Sequence, residues 1–122
     1  MIVSLPSPSK LLQGIFVLQR NHRTFIEFSS ILRLQAERNY TWIYLQNGQK
    51  ILSSKTLMHY ATILPSDFVR VHKSHIVNRS FFLGMSQKRH EIYLTDYSVI
   101  CITQRHVKKI REILLTPLQT NN

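Results

Sequence analysis

The residues with the clearest capacity for chemistry are cations and hydrogen-bonding side chains that gather around short polar segments. Between Phe68 and His90 the chain has five Lys or Arg residues, three histidines and no acid. These residues are Arg70, Lys73, Arg79, Lys88, Arg89, His72, His75 and His90. Further cations follow Thr103, namely Arg105, Lys108, Lys109 and Arg111, and Arg33 and Arg38 form a third group. Cations on loops that share one side of a protein neutralise phosphates and release counterions, so this pattern predicts a polyanion-binding surface.

The segment His72-Lys73-Ser74-His75 also fits a metal-site or nuclease interpretation, which the rest of the sequence does not support. A third and fourth ligand are missing at the usual spacings, and Lys73 between the histidines disfavours a dication. The chain has only 6 Asp and Glu residues, and no nucleophile, base and orienting group can be nominated together. With 3 glycines, it also lacks a glycine-rich phosphate loop. We therefore expect no enzymatic activity, no metal and no cofactor.

The net charge of the chain indicates the same class of partner. Its 122 residues, 43% of them hydrophobic, can fill one modest core, and 16 Lys and Arg against 6 Asp and Glu give a formal charge of +10. The pI is near 10.3, and nucleic acid is the commonest partner of such a basic domain. An anionic membrane is the main competitor, but it requires a basic amphipathic helix or a lipid anchor, and Met1-Ile2-Val3-Ser4 contains no acylation motif. We expect no membrane partner.

Two features predict a cytoplasmic protein. Cys101 is the only cysteine, so no intrachain disulfide can form, and we interpret it as a small buried residue of a strand. No apolar run approaches the roughly 20 residues that span a bilayer, and the stretch from Leu11 to Leu18 lacks the basic region that precedes a signal sequence.

Short segments rich in β-branched and aromatic residues predict a mainly β fold. The predicted strands are 15–19, 23–28, 31–36, 41–45, 49–52, 69–72, 76–78, 91–95 and 98–102. They are too short and too close together for βαβ units, so we expect antiparallel hairpins, with tight turns at Asn47-Gly48 and Asp96-Tyr97. Trp42 and Tyr44 share one face of a strand and are expected in the core.

Two short helices complete the predicted fold. Leu57, Tyr60, Ala61 and Leu64 follow helical spacing, after a cap at Ser53-Ser54. The second helix runs from about 104 to 115, after Thr103 as its cap. The sequence thus predicts a disordered lead-in over 1–13, one domain over 14–116 and a flexible tail over 117–122.

One segment carries a family signature. Phe68 to Asn78 reads F-V-R-V-H-K-S-H-I-V-N, which resembles the pattern F-x-R-x-H-x-S-x-x-V-N of LytTR DNA-binding domains. The matched positions are Phe68, Arg70, His72, Ser74, Val77 and Asn78. Three more features match in order: a turn ending in Asn39-Tyr40, a helix opening at Ser54-Lys55-Thr56-Leu57, and a strand from Leu94 that leads through Arg105 into Val107-Lys108-Lys109-Ile110. Together these features cover about 31–114.

The chain departs from the family pattern at two places. Asp96-Tyr97 replaces the usual Asp-Gly turn, and Thr103-Gln104 stands where the pattern has Ser-Arg, with a cation only at Arg105. The second departure leaves open whether Gln104 or Arg105 contacts a base.

The resemblance implies an elongated, mostly β domain of bacterial origin, built from antiparallel sheets with two short helices and related to response regulators. In such domains three inter-strand loops, and not a recognition helix, enter successive major grooves of duplex DNA and contact the backbone between them. On this chain the loops match Arg38-Asn39-Tyr40, Lys73-Ser74, and Thr103-Gln104-Arg105 leading to Lys108. Arg38 suits a backbone contact.

The side chains at these positions suit such contacts. Arg105 can bond two guanine acceptors at once, and Gln104 can do the same for adenine. The Lys73-Ser74 loop suits a base edge or a phosphate, and Asn39 suits adenine. Thr103, together with the first amides of the last helix, suits a phosphate oxygen.

Other signature residues have a structural interpretation. His72 and Asn78 adjoin strand ends, where their side chains can satisfy the backbone groups of a loop. Arg70 alternates with apolar residues and could pair with an acid on a neighbouring strand or contact a phosphate. Phe68 and Val77 are read as part of the structural motif.

We therefore expect a transcription regulator that binds double-stranded DNA as two copies on a direct repeat, with a homodimer on the DNA as one arrangement, and that bends it. The family usually pairs this module with a receiver domain, and 122 residues leave no room for one, so control is expected from a partner in trans, from expression level or from a ligand. The alternative is an RNA-binding or protein-interaction β module that uses the same basic face. RNA readers expose aromatics among cations, whereas most aromatics here fall at predicted core positions.

Overall fold

The computed structural model describes residues 13–19 and 21–115, so the expected tail and all of the expected lead-in except Gln13 lie outside the described residues. The described residues form ten strands and two α-helices. The strands are β1 Gly14–Gln19, β2 His22–Glu27, β3 Ile31–Glu37, β4 Tyr40–Leu45, β5 Lys50–Ser53, β6 Phe68–His72, β7 His75–Asn78, β8 Phe82–Ser86, β9 Glu91–Leu94 and β10 Val99–Cys101. The helices are α1 Leu57–Ile63 and α2 Val107–Leu115, and the predicted mainly β class with two short helices is confirmed.

A five-stranded antiparallel sheet forms the centre of the fold. Its strand order is β5-β4-β3-β7-β6. Leu34 lies opposite Ile43 on β4 and Ile76 on β7, so these side chains share one face of the sheet. Because side chains alternate between faces along a strand, the residues between them point to the other face. The sheet therefore separates two apolar layers.

The first layer lies between this sheet, the β1–β2 hairpin and α1. The hairpin contributes Val17 and Ile26, and α1 contributes Leu57 and Tyr60, all buried. Thr56, and not the expected Ser53-Ser54 pair, caps α1, because its Oγ1 accepts a hydrogen bond from the His59 N–H at 3.2 Å. The buried Ser53 hydroxyl instead bonds the Tyr60 hydroxyl.

The second layer lies on the opposite face, beneath a three-stranded antiparallel sheet of order β10-β9-β8 and α2. Its buried members are Leu32, Val69, Val71, Val77, Ile92, Leu94, Ile100, Ile102, Ile110 and Leu114. The face of α2 that carries Ile110 and Leu114 is buried, and Val107 is partly buried against the same cluster. This packing fixes where α2 begins relative to β6.

Both predicted tight turns are confirmed. Gly48 has a φ of 91° and its N–H donates to the Leu45 carbonyl at 3.1 Å. The Tyr97 N–H donates to the Leu94 carbonyl at 2.8 Å, and Tyr97 takes a φ of 68°. Of the Asn47-Gly48 pair, only the glycine takes the left-handed conformation.

The structure differs from the sequence-based expectations at three places. β8 was not predicted, because a register shift between Phe82 and Gly84 breaks the alternation that marks a strand. Trp42 is only half-buried and lies outside both core clusters, and Tyr44 packs at the margin of the second one. Cys101 is exposed, because the inward positions beside it belong to Ile100 and Ile102.

Among the described residues, the helices are all too short or too polar to cross a membrane.

Candidate nucleic-acid interface

The turns that carry the candidate site residues lie at one end of the five-stranded sheet. In β3–β4 pairing, Glu37 lies opposite Tyr40, so the Arg38-Asn39 turn closes that end. His72 lies opposite His75, so the Lys73-Ser74 turn closes the β6–β7 hairpin. Since β3 and β7 run antiparallel with Gln35 opposite His75, both turns are at the same end. The Ala36 N–H donates to the Ser74 carbonyl at 2.9 Å, which joins the second turn to β3 two residues before the first turn.

The Lys73-Ser74 turn is shaped by its neighbours in the signature. The His72 imidazole accepts a hydrogen bond at Nδ1 from the Ser74 N–H at 3.1 Å, as the structural interpretation of His72 predicted. The Arg70 guanidinium donates to the Lys73 carbonyl at 2.7 Å, and not to an acid on a neighbouring strand. Because both side chains hold the backbone of the turn, the exposed Lys73 side chain is free to point outward.

The third segment, Thr103-Gln104-Arg105, is attached beside this turn. The Thr103 N–H donates to the Val71 carbonyl at 3.1 Å, which places the segment at the end of β6. A 3-10 turn, Gln104–His106, precedes α2, and the Thr103 side chain makes no capping hydrogen bond, so the expected side-chain cap is wrong. Gln104, Arg105 and Lys108 are all exposed.

A basic groove runs between the second and third segments. It has a volume of about 470 Å³ and is lined by Arg70, His72, Lys73, Thr103, Arg105 and His106. The Arg105 position lines the groove whereas the Gln104 position does not, which favours Arg105 of the two residues that the sequence left open. Five of the six lining residues are Lys, Arg or His, so the groove is suited to an anion.

The first segment extends this surface along the end of the sheet. Arg38, Asn39 and Tyr40 are exposed, and Arg38 takes a φ of 55°. The neighbouring acid, Glu37, accepts a hydrogen bond from the Trp42 indole at 2.5 Å. This bond holds the Glu37 carboxylate against β4, and the turn itself presents a cation and an amide.

Two more basic segments lie at this end outside the three matched loops: Lys55, which was not counted among the predicted cations, and Lys88-Arg89, which belongs to the basic run seen in the sequence. The Thr41 hydroxyl donates to the Lys55 carbonyl at 2.8 Å, which places Lys55 beside the first turn. The Ile102 N–H donates to the His90 carbonyl at 2.9 Å, which places the β8–β9 turn, with Lys88 and Arg89, next to Thr103. The pairing register of the strands, which the sequence does not predict, brings these cations to the same end of the sheet as the three turns.

Other members of the basic clusters lie elsewhere. Arg79 follows β7 at the opposite end of the sheet, where its N–H donates to the Asp67 carbonyl at 2.8 Å. The Arg33 guanidinium lies 3.7 Å from the centroid of the Tyr44 ring, on the face of the sheet. The signature residue Asn78 is also at that far end and is structural, since its side chain donates to the Ile31 carbonyl at 2.9 Å and accepts from the Ser80 N–H at 3.0 Å.

One histidine at the basic end, His75, has a lowered pKa. Burial, the neighbouring His72 and the Arg33 guanidinium lower the pKa of His75 from 6.5 to about 4. The Nδ1 atom of His75 is buried without a hydrogen-bond partner among the described residues. His75 is therefore neutral at pH 7 and adds no charge to the surface.

The aromatic side chains differ from their expected positions. Tyr60 is the one aromatic residue in the buried core of the described chain, while Phe16, Phe25, Tyr40 and Tyr97 are exposed. The expectation that most aromatics lie in the core is met only in part. Five more of them pack, partly buried, against the core: Phe28, Tyr44, Phe68, Phe81 and Phe82. Lys50 lies 4.4 Å from the centroid of the Trp42 ring, and Arg33 covers the Tyr44 ring, so cations already occupy a face of both rings. Such rings are less suited to stack on bases.

No metal site accompanies this surface, since the described part of the chain contains no group of three or more metal-ligating side chains. An antiparallel β scaffold with basic turns gathered at one end defines a nucleic-acid-binding domain. The family model of the LytTr DNA-binding domain matches residues 21–115. The chain belongs to the LytTR family of DNA-binding domains, and its partner is DNA.

The structural comparison agrees with this family. The fold is similar to the LytTr DNA-binding domain of a protein described as a methyl-accepting/DNA response regulator of Bacillus cereus, with a TM-score of 0.72. That similarity has 19% sequence identity and covers 84% of this chain and 97% of the other. No curated protein matches the sequence.

Proposed function

We propose that the chain regulates transcription by binding specific duplex DNA sequences through three turns inserted into successive major grooves. The observation that carries this proposal is the gathering of Arg38-Asn39-Tyr40, Lys73-Ser74 and Thr103-Gln104-Arg105 at one end of the sheet. A flexible loop would lose entropy on binding, whereas Ser74 and Thr103 are held by backbone hydrogen bonds to the neighbouring strands β3 and β6. The scaffold thus presents them in a fixed arrangement.

Each turn makes a different kind of contact with the DNA. Arg105 reads a guanine from the major groove, because its exposed side chain projects from the rigid 3-10 turn beside the groove floor. Asn39 contacts a base edge from the first turn, and Lys73 with Ser74 contacts a base or phosphate. Arg38 and Lys108 neutralise phosphates without reading sequence. Thr103 supports the phosphate contact at the start of α2.

Two copies are proposed to occupy a direct repeat and to bend the DNA. Three turns spread along a rigid edge follow the duplex best when it curves toward them, and the curvature depends on sequence. Circularly permuted probes test the bend in a gel-shift assay. Mobility that does not depend on the position of the site would remove this part of the proposal. Control is proposed to come from a partner in trans. A bacterial cytoplasmic location is also proposed, and the DNA-binding role supports it.

The experiment that tests the readout compares Arg105→Ala with Arg38→Ala. Loss of a bidentate guanine contact costs roughly 1–3 kcal/mol of discrimination, so Arg105→Ala relaxes base preference at one position of a selected site. Arg38→Ala weakens binding to all sequences equally and reduces the slope of log K against log salt by about one. Both are measured by fluorescence anisotropy on a site found by genomic selection. Equal losses on cognate and scrambled duplexes for both variants would contradict the assigned roles.

Because exposed aromatics accompany the cations, RNA binding needs its own test. Competition of labelled duplex by single-stranded RNA, at near-physiological salt, separates the two partners. We expect the selected duplex to win, because Arg33 and Lys50 already cover the Tyr44 and Trp42 rings. Displacement of the duplex by equimolar RNA would favour the RNA-binding alternative.

A further inference from the structure

The β1–β2 hairpin carries large apolar side chains on both faces. Its inward side chains, Val17 and Ile26, are buried in the first apolar layer. Its outward face carries Phe16 and Leu18, each 60% exposed, and Phe25, 48% exposed. Phe16 and Phe25 are cross-strand partners with ring centroids 5.0 Å apart. In an antiparallel pair of strands with one face in solvent, apolar residues normally alternate with polar ones. The exposed apolar side chains of this outward face therefore indicate an interaction surface.

A groove continues from this face to α1. It has a volume of about 280 Å³, and its apolar lining includes Phe16, Leu18 and the 43% exposed Ile63. Its rim is basic. The Arg23 guanidinium lies 4.6 Å from the centroid of the Phe16 ring, and Lys55 and His59 lie on the α1 side. The described lining contains no acid, and the acid nearest in sequence, the exposed Glu27, is at the far end of β2.

The size of the exposed apolar surface fits a short segment better than a second copy of the chain. A buried aromatic side chain contributes about 150–250 Å², so the exposed parts of these side chains amount to roughly 400 Å². A stable interface between two folded proteins needs about 800 Å² on each side. A second copy would also bring the same cations to the same place, on a chain of formal charge +10.

A membrane surface fits less well for a geometric reason. Side chains that insert into lipid project from a convex surface, whereas Phe16, Leu18 and Ile63 line a concave groove. Phe16 and Leu18 also precede residue 21, where the match to the family begins, so the family assignment does not account for them.

We propose that this groove binds a short peptide segment of a partner protein, in which apolar side chains alternate with acidic ones. The apolar side chains fill the space between Leu18 and Ile63, and the acids pair with Arg23, Lys55 and His59. This site goes beyond the DNA-binding role and does not depend on it. Because Lys55 lies next to the first DNA-contacting turn, a bound acidic segment would sit beside the DNA surface.

The test selects peptides from a displayed random library of about twelve residues on the full chain. We expect enriched peptides to combine leucine or aromatic residues with aspartate or glutamate. One enriched peptide is then synthesised with a fluorescent label and titrated by anisotropy. Leu18→Gln and Phe16→Ser are each expected to weaken it at least tenfold, and Arg23→Glu to weaken it further at low salt.

The matched control is Leu83→Ser, which removes an apolar side chain of the same exposure, 59%, from the three-stranded sheet. It is expected to leave peptide affinity unchanged, and denaturant unfolding checks that every variant is folded. The proposal is overturned if no enriched peptide depends on Leu18, or if Leu83→Ser weakens binding equally. It is also overturned if sedimentation shows a dimer that Leu18→Gln dissociates, or if anionic vesicles bind through Leu18 and the peptides do not.

Discussion

At the scale of single residues, two exposed side chains occupy backbone conformations that suit glycine. Arg38 and Tyr97 have φ values of 55° and 68° and lie in different hairpin turns. A residue with a Cβ atom in the left-handed region carries a steric cost of about 1–2 kcal/mol. Arg38 lies in a turn that we propose contacts DNA, whereas Tyr97 lies in the turn between β9 and β10.

Glycine at either position is expected to stabilise the fold. Arg38→Gly and Tyr97→Gly should each raise the free energy of unfolding by about 0.5–1 kcal/mol, because relief of the steric cost exceeds the entropy that glycine adds to the unfolded chain. Urea unfolding measures both. Only Arg38→Gly should also weaken DNA binding. Tyr97→Ala retains the Cβ atom and should bring no gain; a gain equal to that of Tyr97→Gly would show that the Tyr97 ring, and not the backbone, is responsible.

His75 makes the stability of the fold depend on pH. Its pKa is lowered from 6.5 to about 4, so between these values the unfolded chain binds a proton that the folded chain does not. The stabilisation of the folded chain that comes from neutral His75 is complete above about pH 6.5 and is lost as the pH falls toward 4. Since the imidazole is only partly buried, solvent screening reduces the effect to about 1 kcal/mol between pH 7 and pH 5.

The variant that isolates this effect is His75→Gln. The difference in unfolding free energy between wild type and variant should shrink by about 1 kcal/mol from pH 7 to pH 5. Taking the difference removes the contributions of the other histidines. A difference that stays constant over this range would show that His75 is protonated as readily in the folded chain as in the unfolded one.

At the scale of elements, Asn78 joins β7 to the start of β3. Its side chain is 3% exposed, donates to the Ile31 carbonyl and accepts from the Ser80 N–H. The bond to Ile31 connects segments 47 residues apart in the sequence. The geometry of the basic end depends on this far end, because β3 and β7 carry the turns at their other ends.

Asn78→Ala is expected to destabilise the fold by about 2–3 kcal/mol, since it removes the hydrogen bonds to the buried Ile31 carbonyl and the part-buried Ser80 N–H. Thermal unfolding measures the loss. Asn47→Ala is the matched control: Asn47 also accepts from a backbone N–H, that of Gln49 at 2.9 Å, but in an exposed turn. It should cost less than 1 kcal/mol. Equal losses for the two variants would mean that burial of Asn78 contributes nothing.

The sequence predicted correctly those elements whose formation depends only on residues close together in the chain. The Asn47-Gly48 turn, the helix containing Leu57 and Tyr60 and the strand β6 follow from turn residues and periodicity alone. β8 was missed because its alternation is broken at Gly84. Burial of Trp42 could not be predicted, because which face of β4 is covered depends on the distant strands and helix that pack against it.

The candidate site likewise combines residues that a sequence pattern identifies with residues that only the fold brings together. The three turns were found through a signature with fixed spacing, and their neighbouring positions in space agree with it. Lys55 and the Lys88-Arg89 pair join that end through hydrogen bonds of Thr41 and Ile102, which no local pattern encodes. Arg79 belongs to the basic run in sequence but lies at the opposite end of the sheet.

At the scale of the whole molecule, the distribution of charge matters more than its total. The formal charge of +10 includes cations at both ends of the five-stranded sheet. Lys73 lies on a turn at the basic end, while Lys50 starts β5 at the opposite end, next to the Gly48 turn. Only cations close to phosphates release counterions on binding.

Lys73→Gln and Lys50→Gln therefore provide a matched pair, because each lowers the net charge by one. Lys73→Gln should reduce the slope of log K against log salt by about one, and Lys50→Gln should leave it unchanged. Anisotropy titrations of one duplex between about 50 and 200 mM salt give both slopes. Loss of the Lys50 contact with Trp42 costs at most about 1 kcal/mol of stability, so both variants remain comparable in fold. If the two slopes fall equally, DNA is attracted by the total charge of the domain, and the basic end has no special role; if only the Lys73 slope falls, the duplex lies where the turns meet.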